Sequence, residues 1–352
     1  MIFKKLKIND ITLKNRIVIS PMCQYSAKKG SPSNWHYKHL SLLCSSGAAM
    51  VMLESTAVDK EGRISEKDLC IYNENHRKNF KRLTFFLKKK FDVKLGIQVS
   101  HSGRKGSCEI PWIKYNSPLK KNRSWKTYAP SPINRDKNWP IPEQMTNKNI
   151  QSLIKKFQRS AVLANKAGFD CLELHMAHGY LLHEFFSPIS NKREDNYGGN
   201  LDNRCRLLIE VTSAVREVWP KNKILGARIT GTDHLKKGIN TNDSIYLTKK
   251  LKDKGIDYVS VSSGGILKKT NMKTREAFRS SITKKIKKNT KIISTTSGEI
   301  TNFDVAEKLI SSKTIDFITI ARVIIKNPHW IFHLAKHQKL KNIIPKQYLR
   351  IF

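Results

Sequence analysis

Cys171-Leu172-Glu173-Leu174-His175-Met176-Ala177-His178-Gly179-Tyr180 is the stretch on which the fold turns. An apolar-rich run with the length of a strand buried on both faces ends in two imidazoles and a phenol. In a barrel of parallel strands, chemistry sits at the C-terminal strand ends. Two imidazoles there can hold one anionic or carbonyl oxygen, and a phenol two residues on can deliver a proton. An isolated HxxH is more often a pair of structural histidines. As a zinc pair it lacks the HExxH spacing, with a glutamate between the ligands.

Seven further β-rich runs surround this one, at 16–20, 49–54, 95–99, 224–229, 258–262, 291–295 and 317–320; with 171–175 they make eight. Helical patterns alternate with them. The segment 75–91 carries a candidate Asn cap at its start, and 147–167 is stopped by Gly168. The segment 200–218 ends before Pro220, and 241–254 is stopped by Gly255. Eight strands alternating with helices predict an α/β chain folded as one (β/α)8 barrel. Residues 2–13 read as a hairpin that plugs the barrel bottom. Residues 102–142 break the alternation: they are rich in Pro, Trp, Lys and Asn and have no period. A loop of that length in a compact domain is functional or disordered. Trp112, Trp125 and Trp139, with Tyr115 and Tyr128, argue against disorder. The segment is therefore expected to cap the active end. With no repeat beyond the βα unit and no linker, 1–352 reads as one domain with a tail at 340–352.

Composition sets the outer limits. The hydrophobic fraction of 39% supplies a core, and no apolar run is long enough to span a bilayer. The start, Met1-Ile2-Phe3-Lys4-Lys5, has no apolar segment behind it to act as a secretory signal. The six cysteines form no CxxC pair and no iron–sulfur spacing, and they read as reduced thiols of a cytoplasmic protein. The net charge of +38 invites nucleic acid or an acidic membrane as partner. Against that, 17 arginines stand beside 49 lysines, and the basic residues are scattered. Lysine excess marks a solvated surface rather than bidentate phosphate recognition. Neither nucleic acid nor membrane is therefore the expected partner.

The residues after the opening stretch, LLHEFFSPISNKREDNYGG at 181–199, extend it into a longer block. Together with Ser20-Pro21-Met22-Cys23-Gln24-Tyr25 and the run from Ile97-Gln98 to Arg104-Lys105, that block resembles the old yellow enzyme family of FMN-dependent ene-reductases. The resemblance runs from Leu13-Lys14-Asn15-Arg16 to Arg350, and Cys at 23 resembles the bacterial xenobiotic-reductase branch. It implies bound FMN, with NADPH or NADH as reductant and an α,β-unsaturated carbonyl as small-molecule substrate. Both would use one site, which makes ping-pong kinetics the expectation. His175 and His178 would hold the carbonyl oxygen, aided by Tyr25, and Tyr180 would protonate Cα. Ser20, Pro21, Met22 and Cys23 would lie against the flavin ring, where the Cys23 thiol tunes its potential. Ser55 stands where the family usually has Ala. Gln98 would pair with the N3–O2 edge of the ring. Arg228 is costly to bury in an apolar strand unless something anionic meets it, and reduced flavin would. Gly298, Ala321 and Arg322 would take the phosphate, with Ala321 at a usual Gly position. Arg350, in Gln347-Tyr348-Leu349-Arg350, would reach a neighbouring subunit's site in a homodimer or homotetramer, unless it is a frayed basic terminus.

Two rival readings are carried forward. Dihydrouridine synthases are also FMN barrels, and +38 would suit tRNA. They share an asparagine-glycine-cysteine-proline block that is missing here, and little chain follows Pro328 for an RNA-binding domain. A non-catalytic basic barrel that binds nucleic acid would be expected to have lost Tyr180, His175 or Arg228, and all three are present.

Overall fold

The computed structural model describes residues 1–268 and 272–352. Eight parallel strands close into a barrel: β1 (Ile17–Ile19), β2 (Met50–Ala57), β3 (Lys94–Ser100), β4 (Cys171–Met176), β5 (Ile224–Thr230), β6 (Tyr258–Ser262), β7 (Ile293–Thr296) and β8 (Phe317–Ile320). Pairing runs in chain order, and the ring closes where β1 pairs with both β8 and β2, through Ile17↔Ile318 and Val18↔Met50. Among the described residues, eight helices of eight residues or more surround it: α1 (Asn34–Cys44), α2 (Glu74–Lys90), α3 (Asn147–Lys166), α4 (Leu201–Val218), α5 (Thr241–Asp253), α6 (Ser280–Thr290), α7 (Phe303–Ser311) and α8 (Trp330–His337); shorter ones span Leu181–Phe186 and Arg322–Lys326.

Short polar caps start most of these helices. The side chains of Asn73, Thr146, Asn200, Asn240 and Asn302 each accept a main-chain N–H from the first turn. Each such cap stabilises its helix by about 1 kcal/mol. The cap of α2 is Asn73 rather than a residue at the expected start near 75, because its Oδ1 reaches the His76 N–H. Strand 7 also begins later than expected. Lys291 closes α6 in a left-handed conformation, so the strand starts at Ile293. Strand 2 runs three residues further than expected, to Ala57, across an irregularity between Leu53 and Ser55.

The hairpin lies where the sequence put it. Leu6–Ile8 pairs antiparallel with Ile11–Leu13. Ile8 and Leu13 pack against Val18, Met50, Cys171, Ile224, Tyr258 and Phe317, which closes the bottom of the barrel. A second, larger core lies between the outer faces of the strands and the helices. Residues 102–142 hold a 3₁₀ turn at Gly103–Lys105 and the strand Tyr128–Ala129, which pairs in parallel with Glu143–Gln144; the rest is irregular. At the other end of the chain, Ile344, Tyr348 and Phe352 pack on Phe332 of α8. Among the described residues no helix is long and apolar enough to cross a membrane.

Candidate active site

The rim of β4 brings His175, His178 and Tyr180 together. The His175 ring centroid lies 4.6 Å from that of Tyr180 and 5.1 Å from that of His178, both edge-on. Nδ1 of His175 accepts the Ala177 N–H at 3.3 Å, which leaves its proton on Nε2. That Nε2 lies 3.4 Å from His178 Nδ1, and His178 Nε2 lies 2.5 Å from Ser262 Oγ. With the Ser262 hydroxyl donating to His178 Nε2, the proton of His178 sits on Nδ1, so the His175 Nε2–H and the His178 Nδ1–H lie side by side at the mouth. Burial holds both imidazoles well below their ordinary range, and the nearby Arg228 lowers them further. Each is therefore neutral at pH 7, with one N–H to donate. Tyr180 packs with Cys23, Tyr25, Ile64, Cys108 and Trp139. Burial keeps its phenol protonated well above the usual range.

This turn is held from behind. His178 has φ +61°, a left-handed conformation uncommon for a side chain this large. Its N–H reaches Thr230 Oγ1 at 3.3 Å, and Lys105 Nζ donates to its carbonyl and to that of Gly265. The Gly179 N–H donates to His183 Nδ1 at 2.7 Å, and His183 Nε2 lies 3.0 Å from the buried Asp233. The remainder of the 181–199 block is a clasp. Asn191 Nδ2 bonds the carbonyls of Phe185 and Tyr197, each at 2.7 Å. Arg193 bonds those of Pro130 and Met145, and Arg104 those of Ile133, Asn134 and Ile266.

A layer lower, four strands meet inside the barrel. Gln98, Glu173, Gly226 and Tyr258 are register partners in turn, on β3, β4, β5 and β6. Gln98 Nε2 donates to Glu173 Oε1 at 2.7 Å, and the Tyr258 hydroxyl donates to Oε2 at 2.8 Å. Gly226 makes this possible, since a Cβ there would fall 2.2 Å from the Tyr258 ring. Arg228 stands two residues beyond Gly226, in register with His175, and its buried Nε has no hydrogen-bond partner among the described residues. The sequence reading gave no role to Glu173 or Tyr258. A carboxylate inside an apolar strand was the available signal, of the same kind that singled out Arg228.

Strand 1 delivers the next wall. Ser20 is buried with its hydroxyl unpartnered among the described residues, and Pro21, Met22 and Cys23 follow half-buried. Burial, with Glu54 and Asp68 nearby, pushes the Cys23 thiol well up, so it stays protonated. Tyr25 has φ +47° and lies in the same cluster as Tyr180. The Ser55 hydroxyl is 2.5 Å from Ser100 Oγ, so it is engaged within the barrel wall.

At the ends of β7 and β8, Gly298 turns with φ +130°, and a Cβ there would meet the Phe278 ring at 2.9 Å. Ser297 Oγ is buried without a hydrogen-bond partner among the described residues. Ala321 precedes the short helix Arg322–Lys326. The Arg322 side chain is largely exposed and reaches Glu299 at 3.0 Å. Arg279 stands at the same corner and was not singled out in the sequence, because the loop before it has no period to mark its residues. Arg350 is exposed on the tail.

A closed (β/α)8 barrel with imidazoles, a phenol and guanidiniums at its C-terminal mouth defines a class of barrel oxidoreductase. The model of the NADH:flavin oxidoreductase / NADH oxidase family matches residues 1–341. The NADPH dehydrogenase of Bacillus velezensis is 36% identical over 351 residues, covering 99% of this chain and 98% of that protein. That of Clostridium acetobutylicum is 35% identical over 355 residues, covering 100% and 99%. Among solved structures, morphinone reductase in complex with tetrahydroNAD superposes with a TM-score of 0.79 at 19% identity, over 96% of this chain and 90% of that one. The old yellow enzyme homologue from Zymomonas mobilis gives 0.78 at 23%, over 96% and 92%. At those identities the structural likeness speaks for the fold. The chain belongs to the NADH:flavin oxidoreductase / NADH oxidase family, the old yellow enzyme family of the sequence resemblance. It is an FMN-dependent NAD(P)H oxidoreductase.

Proposed function

We propose that the enzyme reduces the C=C bond of α,β-unsaturated carbonyl compounds, with NADPH as the preferred reductant. The observation that carries this is the convergence of His175, His178 and Tyr180 at one rim, with Arg228 buried below them. The chain fits FMN. Ser20 Oγ, Arg228 Nε and Ser297 Oγ are buried polar atoms without hydrogen-bond partners among the described residues, on or just after β1, β5 and β7. FMN, when bound, supplies two-electron transfer between a nicotinamide and an electron-poor double bond.

Ser20, Pro21, Met22, Cys23 and Ser55 would flank the ring, Gln98 its pyrimidine edge, and Arg228 the edge that becomes anionic. Gly298, Ala321 and Arg322 would hold the phosphate. The two neutral imidazoles donate N–H groups to the substrate carbonyl oxygen, with the Tyr25 hydroxyl beside them. They stabilise the charge that develops there without carrying a charge of their own. The protonated Tyr180 phenol gives its proton to Cα. Residues 102–142 cap this mouth: buried Trp139 packs against Tyr25 and Tyr180, and Trp112 lies edge-on to Tyr25 at 6.1 Å.

The working form is a cytoplasmic homo-oligomer in which Arg350 acts on a neighbouring copy. Exposed Trp35 and Leu42 on α1, with Phe91 beside them, offer an apolar surface to such a copy. Whole-length similarity to NADPH dehydrogenases does not favour a tRNA-modifying barrel. The test is isotopic. 2-Cyclohexenone turned over with NADPH deuterated at the transferred position should give cyclohexanone labelled at the former β carbon. Oxidation of NADPH without reduction of the enone would overturn the proposal.

A further inference from the structure

One corner of the mouth holds more positive charge than its protein partners balance. Arg279 Nε donates to Ser263 Oγ at 3.0 Å, and its guanidinium lies 4.1 Å from the Phe278 ring centroid. These two contacts fix the plane of the group. Its two terminal nitrogens make no hydrogen bond among the described residues. They lie against the Gly298 turn, where a Cβ would stand 3.5 Å from Nη1. Burial, with Arg228 and Arg322 both nearby, pushes the Arg279 guanidinium down to about 10. Glu299, the carboxylate that acts on it in the opposite sense, is already held by Arg322. Guanidiniums gathered in this way repel one another unless an anion joins them. A planar group with two free N–H edges is matched to phosphate oxygens.

We propose that Arg279 is a direct ligand of the FMN phosphate and the residue that makes this barrel prefer FMN to riboflavin. The assignment rests on the flavin reading above. Arg322, exposed and paired with Glu299, then guards the outer side of the phosphate, while Arg279 grips it from the barrel side. Ser263 positions Arg279 through Nε and leaves the fork free.

The experiment is a titration of full-length, flavin-stripped protein with FMN and with riboflavin, followed by quenching of flavin fluorescence. The wild-type chain should bind FMN more tightly than riboflavin. Arg279→Gln should weaken FMN by about tenfold or more, the usual scale for losing a charged hydrogen bond. It should leave riboflavin affinity within about twofold, which also reports that the variant is folded. Arg279→Lys should recover part of the FMN affinity, because charge returns without the fork. An Arg279→Gln variant that binds FMN as tightly as wild type would overturn the assignment. So would equal losses for FMN and riboflavin, which would place the residue on the ring or the ribityl chain. Wild-type protein that binds neither flavin would overturn the flavin reading, and this assignment with it.

Discussion

Tyr180 and Lys105 show how single side chains set the chemistry. The Tyr180 phenol is kept protonated by burial, which a proton donor requires. Tyr180→Phe should leave flavin reduction by NADPH intact and slow reoxidation by an enone about 100-fold or more, read by anaerobic stopped flow. Lys105 lies 5.8 Å from the Tyr180 ring centroid and is pushed down to about 7, mainly by burial and then by Arg135. In the unfolded chain its ordinary value is 10.5. Between those values the unfolded chain holds the proton and the folded chain does not. This group's contribution to stability therefore rises as pH goes from about 7 towards 10.5. Urea unfolding at pH 7 and pH 9 should show that rise in wild type and a smaller one in Lys105→Met. An equal rise in both would remove Lys105 as its source. At this scale the sequence was half legible. Arg228 announces itself as a charge in an apolar strand, and Glu173 carries the same signal. The role of Glu173 lies in its partners Gln98 and Tyr258, which come from strands far apart in the chain.

Periodicity located the strands and four of the eight longer helices at the level of elements, because apolar faces must match the barrel wall. Ends moved by a few residues where one hydrogen bond decides, as at Asn73 or at the left-handed Lys291. The segment 102–142 offered no period, and its architecture comes from distant donors. Arg193 binds the carbonyls of Pro130 and Met145, and its guanidinium is buried. Arg193→Ala should cost about 2 kcal/mol or more in urea unfolding, since buried carbonyls lose a charged donor. Trp139→Ala should raise the KM for enones more than that for NADPH, because the side chain packs on Tyr25 and Tyr180. Unchanged KM values would mean that the segment does not shape the substrate site.

For the molecule as a whole, the barrel was legible from eight apolar runs, and the hairpin plug from its position ahead of the first. The net charge was the misleading cue: +38 suits a nucleic-acid binder, yet the mouth gathers a few specific cations around a small-molecule site. Catalysis should therefore be indifferent to added tRNA at physiological salt. If Arg350 acts in trans, mixing Arg350→Ala subunits with Tyr180→Phe subunits should give more activity than the two variants assayed apart, because a mixed assembly rebuilds one complete site; strictly additive activity would contradict the trans role. The most direct measurement is the visible absorption spectrum of the purified chain, taken alone, then with anaerobic NADPH, then with 2-cyclohexenone. A flavin band that bleaches with NADPH and returns with the enone is the predicted result. A protein that stays colourless after FMN is added, or a bleached band that the enone does not restore, would contradict the account.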